Sequence, residues 1–351
     1  MIQIFDNKIL IYILILILII LSIISLGYGP VELSIKQIFD IIFYKINLNN
    51  GLSFNLIQET VFWNIRLPRL LLGLIVGLAL GSTGAILQGL FRNPLIDPGF
   101  IGISSGAAVG AMISIMFSSI AYNIFKISHF ILLPLLAIIG AFIVTMMIYK
   151  MSKVENKTNI MAMLLSGIAI NALAGAIIGI FVSISSDSQL RSFTFWTLGG
   201  LDRSNWNIVG ISYLIISINF FLVFSLRDKL DIFMLGDSEA LCLGINVEKL
   251  KKRIILISSI MVGVTVAFCG MIGFIGLVTP HLIRLLIGPN HRYLIPGSAI
   301  LGSIILVLSD LISKSVIAPA QLPVGVVTSS IGAPIFIWLI YNQKKRIGYL
   351  D

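Results

Sequence analysis

Charge and cysteine are both scarce in this chain of 351 residues. Asp, Glu, Lys and Arg together make up 11% of it, and its two cysteines, Cys242 and Cys269, lie far apart in apolar surroundings. Such a pair offers neither ligand spacing nor a disulfide framework, so a zinc module and a disulfide-stapled scaffold are excluded. No G-x4-G-K-[ST] occurs, so the chain carries no phosphate-cradling loop and ATP hydrolysis is not expected of it. Acids and histidines do not line up within any apolar run. Asp310 is the exception, with Lys314 one helical turn away. His129, His281 and His291 have no companion ligands; His281, in TPHLIR, reads as a polar residue satisfied within a bundle. No metal and no cofactor are expected.

What is abundant is apolar. Hydrophobic residues make up 58% of the chain, more than a soluble protein of this length can hide, and they recur in runs of about 20, the length of a spanning helix. The expected fold is therefore an all-α polytopic membrane protein, one permease-sized domain over residues 1–351. Ten spans are expected, at 8–27, 67–90, 99–120, 130–150, 159–185, 207–226, 254–272, 273–288, 296–315 and 323–342. The first exceeds a signal-peptide core and lacks a small-x-small cleavage site, so it is read as a span. The seventh and eighth touch at GMIGFIG and could form one broken unit. With both termini in the cytoplasm, sixteen of the 24 lysines and arginines fall inside and eight outside, the expected bias. The net charge of +9 follows from that bias, and no nucleic-acid partner is expected.

Between the spans, Leu87–Gly110 packs Arg92, Asn93, Pro94, Asp97 and Pro98 into a turn that ends one helix and begins another. Residues 28–66 form an external segment in which Ile35, Ile38, Phe39, Ile42 and Phe43 fall at helical spacing, as in an amphipathic surface helix. Residues 227–253 form the longest cytoplasmic segment. In it, Asp237 can cap a short helix carrying Ala240 and Leu241, and Gly244 can end it, an element suited to a partner's groove. Glycines at every fourth position (Gly73, Gly77, Gly81; Gly102, Gly106, Gly110; Gly175, Gly179) predict close helix packing. Gly77, Gly84, Pro94 and Gly102 recur 186 residues on as Gly263, Gly270, Pro280 and Gly288, a spacing that an inverted repeat would give.

Six blocks then occur in order: RLPR (66–69), QGLFRNPLIDPGFIGISSGA (88–107), FWTLGGLDRSNW (195–206), LGDSEALCLGI (235–245), GFIGLVTPHLIR (273–284) and QLPVGVVTSSIGAPIFIWLI (321–340). Together they resemble the permease subunits of iron-siderophore, haem and cobalamin ABC importers, the FecCD-type permeases, with haem permeases most similar. The resemblance implies a homodimer with two ABC ATPase subunits and a periplasmic or lipid-anchored substrate-binding protein, set in the cytoplasmic membrane. It makes 227–253 the segment that couples to the ATPase, with Leu235, Gly236, Ala240, Leu243 and Gly244 matching its motif. It also makes Arg66, Arg69 and Lys314 basic residues of an outer rim that meets acidic residues of the binding protein. Pro280, His281, Arg284, Pro323 and Gly325 complete the family motifs. Gln321 stands where the family usually has glutamate, keeping the hydrogen-bonding shape without the charge. Import of haem or an iron chelate is the expected function; cobalamin import and an ATP-independent carrier are the alternatives.

Overall fold

The computed structural model describes residues 7–48, 53–126, 128–155, 157–317 and 320–347. In chain order the helices are α1 (Asn7–Gly27), α2 (Ile35–Lys45), α3 (Leu56–Thr60), α4 (Leu67–Leu90), α5 (Ile103–Phe125), α6 (His129–Met151), α7 (Ile160–Ser183), α8 (Asp187–Thr197), α9 (Trp206–Ser225), α10 (Arg227–Phe233), α11 (Asp237–Cys242), α12 (Val247–Cys269), α13 (Ile275–Ile287), α14 (His291–Ser315) and α15 (Val324–Ile347). A two-residue antiparallel ribbon, β1 (Lys153–Val154) with β2 (Lys157–Thr158), joins α6 to α7. Among the described residues eight helical stretches are long and apolar enough to cross a bilayer, and Ile275–Ile287 and Val324–Leu339 are shorter apolar helices. Together they match the ten expected spans. Helices dominate because hydrocarbon offers no partner for a backbone amide, and a helix satisfies all its interior ones. Asparagines start four of the spans: Asn159, Asn205, Asn246 and Asn290 each accept a first-turn N–H, at 2.9–3.0 Å.

The second span is longer than expected. Helix runs without interruption from Leu56 to Leu90, about 52 Å at 1.5 Å per residue, through a π-helical turn at Val61–Arg66. Pro68 has no N–H to give the carbonyl four residues back, and the chain widens just before it; Leu67 bonds instead to Phe62. The segment read as an external surface piece thus belongs in part to this span. Its other half forms a helix, α2, which buries Ile38 and Ile41 against Leu26, Leu33, Phe62 and Leu70 and leaves Ile35, Phe39 and Phe43 of the expected apolar face outward.

Helix α4 lies at the centre, with 83% of its apolar window buried against 22% for α1 and α7. It packs against α9, α12, α13 and α14. Gly77 and Gly81 meet the backbone of α14 at Gly302 and Ser298, and a methyl group at Gly84 would fall inside the Gly276 carbonyl of α13. Gly106 and Gly110 do the same for α5 against α6. Around Gly175 and Gly179 of α7, however, there is open space, so the packing expectation is corrected there. The 186-residue spacing pairs equivalent places only at Gly77 and Gly263, inside α4 and α12, and not at the other three positions. Gly84 is mid-helix while Gly270 ends α12; Pro94 lies in a turn while Pro280 is inside α13; Gly102 begins α5 while Gly288 ends α13.

The seventh and eighth spans are separate helices. Between them residues 270–274 run without helix, and both Gly270 and Phe274 sit at positive φ, 70° and 68°. A phenylalanine there is a strained backbone, held by the fit of its ring on Gly332 of α15.

Gly84→Leu should cost at least about 1–3 kcal/mol through overpacking, read as a fall in melting temperature of the detergent-purified protein. Gly175→Ala should leave the melting temperature of the protomer nearly unchanged, because nothing lies within reach of the added methyl.

Candidate transport cavity and coupling face

Two groups of polar residues lie at opposite ends of α4, about 35 Å apart along its axis from residue 69 to residue 92. At the first end Arg69 is buried, yet fully engaged. Its Nε donates to Asp310 Oδ1 at 2.8 Å and its Nη1 to Gln321 Oε1 at 2.8 Å. Lys314 Nζ meets the other Asp310 oxygen at 2.5 Å. Arg69 thereby ties α4 both to a carboxylate of α14 and to the turn before α15, and Gln321 supplies the second acceptor without adding a second negative charge. Arg66 is also buried, donating to the carbonyls of Leu26, Gly27 and Val31. It pins the end of α1 to the long span.

The expectation that Arg66 and Arg69 stand on the rim for an acidic partner therefore needs correction for this structure. Both are only 6% exposed, because interior carbonyls, Asp310 and Gln321 satisfy them, and a partner's carboxylate would have to displace those bonds. Lys314 is held the same way. The exposed cations beside them are Arg191 and Arg203.

Beside Arg69 opens a cavity of about 450 Å³, lined by Arg69, Arg191, Phe195, Trp196, Asp202, Arg203, Phe268 and Gln321 among others. Helix α8 forms one wall. Trp196 is buried and stacked on Phe193, with ring centroids 6.2 Å apart, whereas Phe195 is exposed. The floor is backbone: Gly200 N–H donates to Cys269 O at 2.8 Å, and Gly325 N–H to Gly199 O at 3.3 Å. Side chains are absent where these three segments cross, so they touch directly. The sequence reading missed α8, although its capping box was legible: Ser186 and Gln189 bond each other's backbone as an S-x-x-Q pair should.

At the other end of α4 the chain turns through Arg92, whose φ of 48° is one that glycine normally adopts. The arginine is held there by its contacts. Its Nη2 donates to Phe233 O at 2.7 Å and to Asp237 Oδ1 at 2.6 Å, and the guanidinium lies 4.2 Å over the Phe233 ring. Lys251, buried, donates to the second Asp237 oxygen at 2.9 Å and to Thr158 O at 3.1 Å, while Glu248 accepts from the Thr158 hydroxyl at 2.6 Å. Asp237 does not cap α11, as the sequence suggested. It is the first helical residue, and Gly236 is the N-cap with no side-chain bond. Partial burial alone would raise the Asp237 carboxyl, but hydrogen bonds and charges from Lys251 and Arg92 outweigh it and hold it below the ordinary range.

Gly244 ends the segment in a Schellman turn, with Gly244 N–H to Leu241 O and Ile245 N–H to Ala240 O. Ala240 is fully buried beneath, while Leu235, Leu241 and Leu243 point out, 59–67% exposed. The NPLIDPG turn follows directly on Arg92 and leans on α7. Asp97 caps the 3₁₀ turn through Gly99 N–H at 2.8 Å, and its burial raises the carboxyl's pKa against that bond. Asn171 of α7 donates to Gly99 O at 3.2 Å, and Gly167 abuts the Phe100 carbonyl. Asn93 accepts from Leu95 N–H, and Pro94 and Pro98 flank the bend.

Pro280, His281 and Arg284 lie on α13. His281 is buried but, contrary to expectation, makes no side-chain hydrogen bond among the described residues, and Arg284 Nη1 is buried without a partner. Among the described residues no group of three or more His, Cys, Asp and Glu is placed to hold a metal. Pro323 and Gly325 open α15 beneath the cavity.

A helical bundle with a polar cavity at one end and an exposed leucine face at the other is the architecture of a membrane transport permease. The chain belongs to the FecCD transport family, which matches residues 17–342, and it is a permease subunit of an ABC importer. The hemin transport system permease protein HmuU of Yersinia pestis is 40% identical over 97% of both chains. The cobalamin import system permease protein BtuC of Halobacterium salinarum is 34% identical over 82% of this chain and 75% of its own. A transporter described as of metal-chelate type, solved in an inward-facing conformation, superposes with a TM-score of 0.83 at 30% identity, over 96% of this chain and all of its own.

Asp310→Asn leaves Arg69 and Lys314 buried without an anion and should destabilise the protein by about 3–5 kcal/mol; Gln321→Ala should cost less, as measured by urea unfolding in detergent. The Asp237 bonds should persist at neutral pH and fail only as pH falls below the ordinary carboxylate range, because a carboxyl held low stays ionised through that range. Amide exchange across α11 should rise in that window, and Asp237→Asn should reproduce the rise at pH 7.

Proposed function

We propose that this permease imports haem or a comparable anionic iron chelate across the cytoplasmic membrane, working as a homodimer with two ABC ATPase subunits and an external binding protein. The observation that carries the cargo reading is the charge of the cavity wall. Arg191 and Arg203 stand exposed beside one carboxylate, Asp202, and beside Arg69, whose charge Asp310 already matches, among the aromatic rings of Phe195, Trp196 and Phe268. Such a wall favours a flat ligand bearing carboxylates, through charge and ring contact. The similarity to the Yersinia pestis permease supports the same cargo. Cobalamin, named for the Halobacterium salinarum relative, is the second reading. An ATP-independent carrier has less support, since no row of ionisable groups crosses the spans.

In this reading the cavity end faces outward and the α10–α11 end faces the cytoplasm, with both chain termini on the cytoplasmic side. The residues at the termini themselves, 1–6 and 348–351, lie outside the described ones. The binding protein docks on the outer face, where Arg191 and Arg203 are available at once, while Arg66, Arg69 and Lys314 are reached only by exchange of their internal bonds. Leu235, Leu241 and Leu243 enter a groove of the ATPase; Gly236, Ala240 and Gly244 shape and seat that element. Motion of α11 passes through Asp237 and Arg92 to the 94–101 turn, and from Gly99 and Phe100 to α7. ATP binding to the motor supplies the differential free energy of the switch. The chain itself performs no hydrolysis and needs no cofactor. Gly175 and Gly179 leave a face of α7 for the second copy or the path between copies.

Proteoliposomes carrying the permease, its ATPase and its haem-loaded binding protein should take up haem only with ATP. Leu235→Asp with Leu243→Asp should abolish ATPase association without lowering the melting temperature, both residues being exposed. Arg191→Glu with Arg203→Glu should weaken binding-protein association about tenfold at low salt and little at high salt. Uptake driven by an ion gradient without ATP, or of cobalamin and not haem, would sink the reading. Unchanged association at low salt would sink the docking assignment.

A further inference from the structure

At the α11 end, a recess of about 240 Å³ lies between the end of α9, α10 and the start of α12. We infer that it seats the phosphate headgroup of an anionic phospholipid.

Lys229 of α10 and Lys249 and Arg253 of α12 line it, with Leu226, Asn246 and Leu250, and no acid is among its lining residues. Lys249 and Arg253 are four residues apart and so share one face of α12, with Lys229 contributed by a different element. None of the three side chains has an ion-pair or hydrogen-bond partner among the described residues, although acids are near in sequence. Four of those acids are paired elsewhere: Asp228 with Arg227, Asp231 with His291, Asp237 with Arg92 and Lys251, and Glu248 with Thr158 and Lys251; the fifth, Glu239, accepts from the Ser238 hydroxyl and does not line the recess. Three cations converging on one hollow without a counter-charge repel each other, and an anion with several oxygens would relieve that.

The surroundings favour a lipid over a free phosphate. Both walls continue as outward apolar surface. On α9, Leu214, Ile218 and Phe221 are exposed at one-turn spacing above the recess, and Ile260 is exposed two turns beyond Arg253 on α12. The apolar run of α9 ends at Ser225 and that of α12 begins at Ile254, beside the recess, the depth at which headgroups meet acyl chains. A phosphodiester in the recess would lead its chains directly along these strips. A small anion would fill the seat and leave the strips unused.

The test uses the full-length permease purified in neutral detergent. It is titrated with dioleoyl phosphatidylglycerol, dioleoyl phosphatidylcholine or glycerol 3-phosphate, and bound lipid is read by native mass spectrometry alongside the melting temperature. Phosphatidylglycerol should be retained and raise the melting temperature, and the other two should not. Lys229→Gln, Lys249→Gln and Arg253→Gln together should weaken phosphatidylglycerol binding about tenfold or more, and Arg253→Gln alone should weaken it measurably should the triple variant fail to fold. Lys150→Gln, Lys153→Gln and Lys157→Gln, which remove the same charge elsewhere, should leave binding nearly unchanged. Equal losses in the two triple variants would reduce the site to general surface attraction and overturn the proposal. So would retention of phosphatidylcholine as strong as that of phosphatidylglycerol. Glycerol 3-phosphate binding as tightly as the lipid would assign the seat to a soluble phosphate instead. Loss of ATPase association in the first variant, with lipid retention unchanged, would give it to an acidic side chain of the partner.

Discussion

The close approach of α4 to its neighbours is the constraint on which everything else rests. Between helices in lipid there is no hydrophobic drive, since lipid tails are as apolar as leucine, so association must come from contact area. Gly77, Gly81 and Gly84 remove side chains where α4 crosses α13 and α14, letting backbone meet backbone. The result is a helix buried over most of its surface, which makes it a rigid rod through the bundle. Both polar groups hang on its ends, with Arg69 at one and Arg92 at the other, so their separation is set by helix length and not by any loop.

Charge is used in two physically different ways. Arg66, Arg69, Lys251 and Lys314 are taken from water and matched to carbonyls or to single carboxylates. Their role is to fix which elements meet, and burial makes each dependent on its partner. Arg191, Arg203, Lys229, Lys249 and Arg253 remain exposed in or beside hollows. These set the sign of the potential that a ligand or a headgroup meets. Proximity in sequence does not separate the two classes: Lys249 and Lys251 are two residues apart and face opposite sides of α12.

The path from the leucine face of α11 to α7 is short and made of stiff parts. Asp237 holds Arg92 in a backbone conformation that arginine would not choose, the 3₁₀ turn is capped by Asp97, and Asn171 and Gly167 clasp that turn from α7. A displacement of α11 therefore has few soft elements in which to dissipate before it reaches α7, one of the two least buried spans.

The spans were legible in the sequence because hydrocarbon thickness fixes their length and apolarity, both local properties. The end of α11 was legible for the same reason, since Gly244 marks a helix stop within five residues of Ala240. Helix α8 was written in its Ser186–Gln189 capping box, a local signal that its low apolarity obscured. What only the tertiary structure decided was partnership. Arg69 meets Asp310 and Gln321 across more than 240 residues, and nothing in RLPR distinguishes a guanidinium on the rim from one turned inward. The glycine spacing on α4 and α5 found neighbours, while Gly175 and Gly179 on α7 did not, because a periodic small face specifies only that something can approach. The 186-residue echo failed at three of its four positions for the same reason: spacing along a chain carries no record of whether a glycine sits inside a helix or ends one. The sequence by itself determined how often and where the chain crosses the membrane, and three-dimensional packing decided which of its few charges remain free to meet another molecule.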